Sequence, residues 1–150
     1  MGSVRDPTAA RHAFDATARE RLARAAERVF RPERDVVAVY LYGSAARGER
    51  PHDLDVGVLF ADAPDPRVLE PLAAKLQAEG APNGPEIDLR PMNNADPRFL
   101  AMVLNEREIL FERSPRARWE REARMMSAWA DFKPTWDRMR RCMLERWQRG

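Results

Sequence analysis

The chain has 150 residues, of which 44% are hydrophobic and 33% are charged. This length and composition suit a single domain (residues 1–150) with one modest core and argue against a second independent domain. No apolar run approaches the ~18 residues of a membrane span, and the first thirty residues lack the apolar segment of a signal peptide, so we expect a cytoplasmic protein. Cys142 is the only cysteine, which excludes an intramolecular disulfide and a cysteine-rich zinc site.

The net charge of +2 hides an uneven distribution. Residues 113–150 contain eleven Lys and Arg but five Asp and Glu, so this tail is strongly basic and the rest of the chain is acidic overall. A basic tail can attract RNA, an acidic protein or nucleotide phosphates. However, 24 of the 26 basic residues are arginines spread through helical segments, which favours a solvated face. We therefore expect no direct binding of nucleic acid.

The first predicted elements are a helix and two strands. Asp6-Pro7 has the pattern of a helix start, and apolar residues at helical spacing continue to Arg31-Pro32. Val36 to Tyr42 is a β-branched and aromatic run that ends at Gly43, which predicts a buried strand entering a tight turn. Leu54 to Phe60 predicts a second strand.

The middle of the chain continues this alternation. Asp65-Pro66 begins a predicted helix that stops at Gly80, and Glu86 to Arg90 is a third short strand. Asp96-Pro97 opens another helix, and Ile109 to Phe111 is a candidate edge strand. The pattern predicts a mixed α/β fold, a small twisted sheet with helices packed on one face.

From Ser114-Pro115 onward the pattern is purely helical, and it predicts a pair of helices separated by Pro134. All four tryptophans lie in this part of the chain. Large aromatics and methionines on a helix either pack a core or form a partner surface, and both interpretations stay open for the second helix. We divide the domain into a catalytic core at about 34–113 and a helical extension at 114–150.

Two short motifs carry the chemistry. Gly43-Ser44 follows a strand and precedes a predicted helix, a place where backbone N–H groups and the serine hydroxyl suit a phosphate. Asp53 and Asp55 stand one residue apart at the start of the second strand, so their side chains point to the same face and can hold one or two magnesium ions. The combination predicts a metal site beside a triphosphate site.

Asp88 completes the constellation if the third strand lies next to the second. Three crowded carboxylates repel each other unless cations neutralise them, so the cluster itself indicates metal. Each part alone has a structural explanation as a turn, a solvated strand end or an edge residue. Their order along the chain favours the functional interpretation. Arg47 is a candidate phosphate contact or an exposed helical arginine, and Glu86 could substitute for Asp88.

The chain resembles the minimal nucleotidyltransferase family of the DNA-polymerase-β superfamily, whose motif is Gly-Ser, a helix with Ala-Arg-Gly, Asp-x-Asp and a later Asp. The matching residues are Gly43-Ser44, Ala46-Arg47-Gly48, Asp53-Leu54-Asp55 and Asp88. More particularly it resembles the antitoxins that pair with HEPN-domain ribonuclease toxins, through residues 89–93, 109–112 and 130–134. The link from Ser44 to Asp53 is shorter than is usual in that family.

The resemblance implies a polymerase-β-type fold and an enzyme that transfers AMP from ATP, with Mg²⁺, to a tyrosine hydroxyl of the cognate HEPN toxin. Asp53, Asp55 and Asp88 would be the catalytic and metal-binding residues, and Gly43, Ser44 and Arg47 would bind the nucleotide. One alternative is an antitoxin that occludes its toxin without catalysis, through the surface of Trp136, Met143 and Trp147. Another is transfer to a small-molecule acceptor such as an aminoglycoside, although a chain this short leaves little room for a dedicated drug-binding domain.

Overall fold

The computed structural model describes residues 14–150, along which helices and strands alternate. In chain order the elements are helix α1 (Ala16–Phe30), strands β1 (Val36–Tyr42) and β2 (Asp53–Phe60), a 3-10 turn (Pro66–Val68) leading into helix α2 (Leu69–Gly80), strand β3 (Glu86–Pro91), helix α3 (Pro97–Glu106), strand β4 (Glu108–Glu112) and helix α4 (Pro115–Arg149). The four predicted strands and the mixed α/β class are confirmed. Among residues 14–150, each helix is too short or too polar to form a membrane span.

The helical segments begin where an aspartate or serine precedes proline. Asp65, Asp96 and Ser114 each accept a hydrogen bond from a backbone N–H two or three residues later, at 3.0, 2.7 and 3.1 Å. Such caps satisfy donors that have no partner within the first turn. Helix α1 is capped in the same way by Asp15, at 2.9 Å. The start predicted at Asp6-Pro7 lies outside the described residues.

The sheet has the strand order β3-β2-β1-β4. Strand β1 pairs antiparallel with β2 and with β4, whereas β2 pairs parallel with β3. A parallel pair needs a crossover connection, which α2 provides. This arrangement places the starts of β2 and β3 next to each other at one end of the sheet, beside the end of β1.

Helices cover both faces of the sheet. The first face packs against α1 and α2 through the core that includes Leu22, Phe30, Val39, Leu41, Leu54, Val56, Val58, Leu72 and Leu76. The second face packs against α3 and the beginning of α4 through Ala38, Tyr40, Tyr42, Leu59, Met92, Leu100 and Val103. The prediction of helices on one face only is wrong, because every residue of β1 is buried and a strand that is apolar on both sides needs cover on both.

Gly80 ends α2 at the predicted residue, and its role is close packing. A Cβ at Gly80 would lie 2.9 Å from Leu22 Cδ1 and 3.1 Å from Ala25 Cβ, both on α1. These distances are shorter than ordinary carbon contacts, so the missing side chain lets the two helices approach each other.

The C-terminal part of the chain is one helix, so the predicted pair separated by Pro134 is wrong. Helix α4 runs for 35 residues with Pro134 inside it, which makes it about 52 Å long at 1.5 Å per residue. Proline removes one helical N–H, and the carbonyl of Ala130 loses its donor. Both residues are exposed, so solvent can bind that carbonyl and the helix continues.

A buried polar cluster fixes the beginning of α4 to the second face. The carboxylate of Glu122 accepts hydrogen bonds from the Tyr40 hydroxyl on β1 at 2.9 Å, from Arg118 at 2.9 and 3.0 Å, and from Arg107 at 2.9 Å. Arg118 also binds Glu112 on β4 at 2.5 Å. Burial, and then the charge of Glu122, raise the pKa of Tyr40 well above its usual range. The cluster holds α4 near β1, whereas residues 138–150 are exposed throughout.

Candidate active site

Two neighbouring strands bring the predicted carboxylates together. In the parallel pair of β2 and β3, Asp55 lies opposite Asp88, and Asp53 lies opposite Glu86. All four side chains belong to the second face, because their neighbours Leu54, Val56 and Ile87 point into the core of the first face. Adjacent strands are about 4.8 Å apart, so these carboxylates are close neighbours. The condition set for Asp88, that β3 lies beside β2, is therefore confirmed.

The pKa of Asp55 reports this crowding. Burial raises the pKa above its usual value, the charges of Asp88 and Asp53 raise it further, and Arg90 and Arg47 partly oppose the rise. Both main causes disfavour the ionised carboxylate. A cation bound here would relieve the repulsion.

Gly43 shapes the turn that faces Asp55. Its φ is +72°, a conformation that residues with a Cβ rarely adopt, and a Cβ built there would overlap Oδ2 of Asp55. The missing side chain therefore lets the backbone of this turn approach the carboxylate. A phosphate bound by this turn needs the same close approach to Asp55 if it shares a metal ion with that carboxylate.

The segment after Gly43-Ser44 is a series of turns, so the helix predicted there is wrong. The N–H of Arg47 donates to the carbonyl of Gly43 at 3.2 Å and that of Glu49 donates to Ser44 at 2.9 Å, after which no helix develops. Gly48 has a φ of +76°, which breaks a right-handed helix. A phosphate here would have the N–H groups of a turn and the Ser44 hydroxyl rather than a helix N-terminus.

Arg47 is engaged in two exposed ion pairs. Its guanidinium donates to Glu49 at 2.8 Å and to Glu106, at the end of α3, at 2.8 Å. On the other side of the turn, Arg19 of α1 donates to the carbonyl of Ala45 at 2.8 Å. These contacts tie the turn to α1 and α3. A phosphate contact by Arg47, which would require it to leave at least one glutamate, stays a prediction.

Tyr42 is a neighbour of the carboxylates that the sequence analysis did not single out. It lies opposite Asp55 in the β1–β2 pair, and its ring packs edge-on against Phe99 of α3 at 5.6 Å between centroids. Burial, and then the negative charge of Asp55, raise the pKa of Tyr42 to about 12. The hydroxyl is therefore neutral at physiological pH. Strand alternation placed Tyr42 on one face, but the sequence carries no signal for its register with Asp55.

Arg90 is a second neighbour that was missed. It stands two residues after Asp88 on the same strand and face, and its guanidinium donates to Asp88 Oδ2 at 3.1 Å from Nε. The spacing Asp-x-Arg in a strand was the available signal, since residues two apart share a face. The site thus contains a cation of its own.

The donor set suits magnesium, although the ligands are not gathered around one point. Carboxylate oxygens are the ligands that Mg²⁺ prefers, and Asp55 lies between Asp53 and Asp88 in the repulsive cluster. Within residues 14–150, no group of three or more Asp, Glu, His or Cys side chains is arranged to hold a metal ion as it stands. Asp53 and Glu86 are exposed, and Asp88 is bound to Arg90. Binding would require these side chains to rotate toward Asp55.

Comparisons with known proteins identify solved structures with the same fold. Chains in three solved toxin–antitoxin structures share the fold, at sequence identities of 17–19%. A complex of tri-AMPylated Shewanella oneidensis HEPN toxin with MNT antitoxin matches at 18% identity, covering 82% of this chain and 96% of that one, with a TM-score of 0.66. A toxin–antitoxin structure with AMP-PNP matches at 19% identity, covering 81% and 98%, with a TM-score of 0.67. A third, of MntA and HepT, matches at 17% identity, covering 85% and 97%, with a TM-score of 0.61.

No curated protein matches the chain significantly in sequence. The family model described as polymerase beta, nucleotidyltransferase matches residues 25–116, which contain the Gly43 turn and all three aspartates. The match covers more than half of the chain, from the second half of α1 to the start of α4. The chain therefore belongs to the polymerase beta nucleotidyltransferase family.

Proposed function

We propose that this chain is an antitoxin that transfers AMP from ATP to a tyrosine hydroxyl of a HEPN-domain toxin, with Mg²⁺, in the cytoplasm. The observation that carries the proposal is the register that sets Asp55 beside Asp88 on the face that also holds Asp53. Two of the solved structures with this fold support the substrates, since one contains an AMPylated HEPN toxin and another contains AMP-PNP.

In this proposal Asp53 and Asp55 hold Mg²⁺ and Asp88 completes the site. Mg²⁺ would neutralise charge on the triphosphate and on the departing pyrophosphate. The Gly43 turn would bind the phosphates through its backbone and the Ser44 hydroxyl, because a Cβ at Gly43 would block the approach to Asp55.

The transfer itself needs no nucleophile from this chain. The phenolic oxygen of the acceptor tyrosine attacks the α-phosphorus of ATP and forms a new phosphorus–oxygen bond. The bond between the α-phosphorus and the bridging oxygen breaks, and pyrophosphate leaves with the electron pair. Asp88 orients the phenol and accepts its proton, a role for which it lies next to the proposed metal ligands.

The direct test combines the purified chain with ATP, Mg²⁺ and a purified HEPN-domain toxin, the proposed partner, and measures the intact mass of both proteins. We expect the HEPN protein to gain one or more AMP units and to lose ribonuclease activity. Asp53→Asn and Asp55→Asn should abolish the mass gain, because each removes one negatively charged ligand.

Asp62→Asn is the matched control, since Asp62 is an exposed aspartate beyond the opposite end of β2. It should modify the partner like the wild type. The proposal is wrong if wild-type chain adds no AMP to the HEPN protein, or if Asp53→Asn and Asp62→Asn are equally active.

A second candidate function, occlusion of the toxin without catalysis, is favoured by the exposed end of α4. Met139, Met143 and Trp147 are spaced four residues apart and are 49%, 52% and 87% exposed. They form an exposed apolar stripe on one side of the helix, and such a stripe is typical of a protein interface. Trp136 is partly engaged within the chain, because Arg98 of α3 lies 4.4 Å from its ring centroid.

Two sets of variants separate the candidates. Met143→Ser with Trp147→Ser should weaken co-elution with the HEPN protein, whereas Asp53→Asn with Asp55→Asn should preserve co-elution and lose AMP transfer. If the aspartate variant silences the toxin as well as the wild type does, occlusion is the function. If it binds the toxin and leaves it active, AMP transfer is the function.

A further inference from the structure

The contact between Arg90 and Asp88 is the part of the site that the proposed reaction does not use. Nε of Arg90 lies 3.1 Å from Oδ2 of Asp88 and Nη2 lies 3.0 Å from the same oxygen. The hydrogen bond from Nε and the ion-pair contact of Nη2 therefore end on one oxygen, and Oδ1 receives neither of them. Gly57 lies opposite Arg90 on β2, so no side chain of that strand stands between the guanidinium and the carboxylates.

This contact has two physical effects on Asp88. One hydrogen bond and one ion-pair contact from the same guanidinium restrict the rotation of the carboxylate, because the guanidinium holds its nitrogens in a rigid plane. The positive charge also offsets the repulsion between Asp88 and its neighbour Asp55, as a bound cation would. The Arg90 side chain is 58% exposed, so the pair contributes little to folding stability.

We propose that Arg90 is a positioning residue. It holds Asp88 by Oδ2, leaves Oδ1 for the metal or the acceptor, and supplies a counter-charge that competes with a divalent cation. The inference rests on the proposed function, since it assigns Asp88 to the same site. The inference adds that Arg90 controls both the charge near Asp88 and the orientation of its carboxylate. Substitutions at Arg90 can separate these two effects.

The chain contains a matched control for this pair. Arg67 follows Asp65 by two residues and binds it through the same two nitrogens, with Nε at 3.0 Å and Nη2 at 2.7 Å from Oδ2, on an exposed segment before α2. Its Nε also lies 3.2 Å from Oδ1. Arg67→Gln removes the same charge and the same kind of contact at a place remote in sequence and on no strand. Any effect specific to Arg90→Gln is then due to the site.

The first measurement is the affinity for Mn²⁺ in the absence of nucleotide and partner. The electron paramagnetic resonance signal of the free ion reports how much Mn²⁺ is bound. Mn²⁺ prefers the same oxygen ligands as Mg²⁺. We expect Arg90→Gln to bind Mn²⁺ about threefold to tenfold more tightly than the wild type, because a competing charge near the ligands is gone. Arg90→Lys, which keeps the charge, and Arg67→Gln should bind like the wild type.

The second measurement is the steady-state rate of AMP transfer to the HEPN protein. Arg90→Gln and Arg90→Lys should both lower kcat by about tenfold with little change in KM for ATP, because neither side chain has the planar guanidinium whose two nitrogens hold Asp88. The inference is overturned if Arg90→Gln binds Mn²⁺ no more tightly than Arg67→Gln, or if its kcat is unchanged.

The two proposals fail in different ways. The Mn²⁺ measurement needs neither ATP nor the toxin, so tighter binding by Arg90→Gln supports the counter-charge even if no AMP is transferred. Wild-type transfer activity together with equal Mn²⁺ affinities would overturn the role of Arg90 and leave the proposed function intact. If the wild type binds no Mn²⁺, or if Asp55→Asn binds Mn²⁺ as tightly as the wild type, the metal site and the role of Arg90 are both wrong.

Discussion

Substituting alanine at Gly43 tests the link between the turn and the carboxylates. Gly43 and Gly48 have nearly the same backbone conformation, with φ of +72° and +76°. A Cβ at Gly43 would overlap Asp55 Oδ2, whereas a Cβ at Gly48 would meet no atom within 4 Å. The two positions therefore share backbone strain and differ only in what the new methyl group displaces.

The strain alone should cost about 1–2 kcal/mol of unfolding free energy in both Gly43→Ala and Gly48→Ala, as expected for an alanine forced into a left-handed conformation. Urea unfolding followed by circular dichroism measures this cost. Stability should not separate the two variants strongly, because the end of the Asp55 side chain can rotate away from the added methyl group.

Function should separate them. In Gly43→Ala the Asp55 carboxylate has to move away from the turn, and a displacement near 1 Å at a reacting centre lowers a rate by about a hundredfold. We expect that loss in AMP transfer to the HEPN protein, together with weaker Mn²⁺ binding, and neither change in Gly48→Ala. Equal activity of the two variants would refute the argument that the missing side chain of Gly43 makes room for Asp55.

Three further predictions concern stability. Asp55→Asn should raise the unfolding free energy at pH 7 while removing Mn²⁺ binding, because burial and Asp88 hold the pKa of Asp55 above its usual value, so its ionised form is disfavoured in the fold; a less stable variant in thermal melts would contradict this. Because the pKa of Tyr42 rises from 10.0 in the unfolded chain to about 12 in the folded one, its stabilising contribution is complete below pH 10 and is lost as the pH rises to 12. Tyr42→Phe should therefore show a shallower fall in stability over that interval, and identical pH curves would disprove this. Glu122→Ala leaves the buried Tyr40 hydroxyl without its acceptor and Arg118 with Glu112 alone, and should cost about 3–5 kcal/mol in urea unfolding, whereas a loss below about 1 kcal/mol would mean that the cluster does not anchor α4.

Strand and helix positions could be predicted because the signals are local. Val36–Tyr42 is an unbroken apolar run of strand length, and Asp96-Pro97 combines a cap with a proline that fits only the first helical turn. The same-face placement of Asp53 and Asp55 follows from the two-residue period of a strand. These features depend on residues within a few positions of each other, so the sequence contained them.

The wrong predictions all depended on surroundings that the sequence does not display. Pro134 does not end α4, because it and Ala130 are exposed and solvent can bind the freed carbonyl of Ala130. The turn after Gly43 does not become a helix because Gly48 adopts a positive φ. The ion pair of Arg47 with Glu106, which lies 59 residues away in sequence, depends on such surroundings too, and the phosphate contact of Arg47 stays a prediction.

The sequence by itself therefore determined the elements, their apolar faces, and the glycine turn and aspartate motif of a nucleotidyltransferase, because each of these follows from local conformation and side-chain chemistry. Only the tertiary structure decided the register that places Asp88 and Tyr42 on either side of Asp55. It also decided that Arg90 binds Asp88, and that Glu122 fixes α4 to the sheet while the end of that helix stays exposed. The physical reason is that register and buried ion pairs arise from packing between distant segments, which local patterns do not specify.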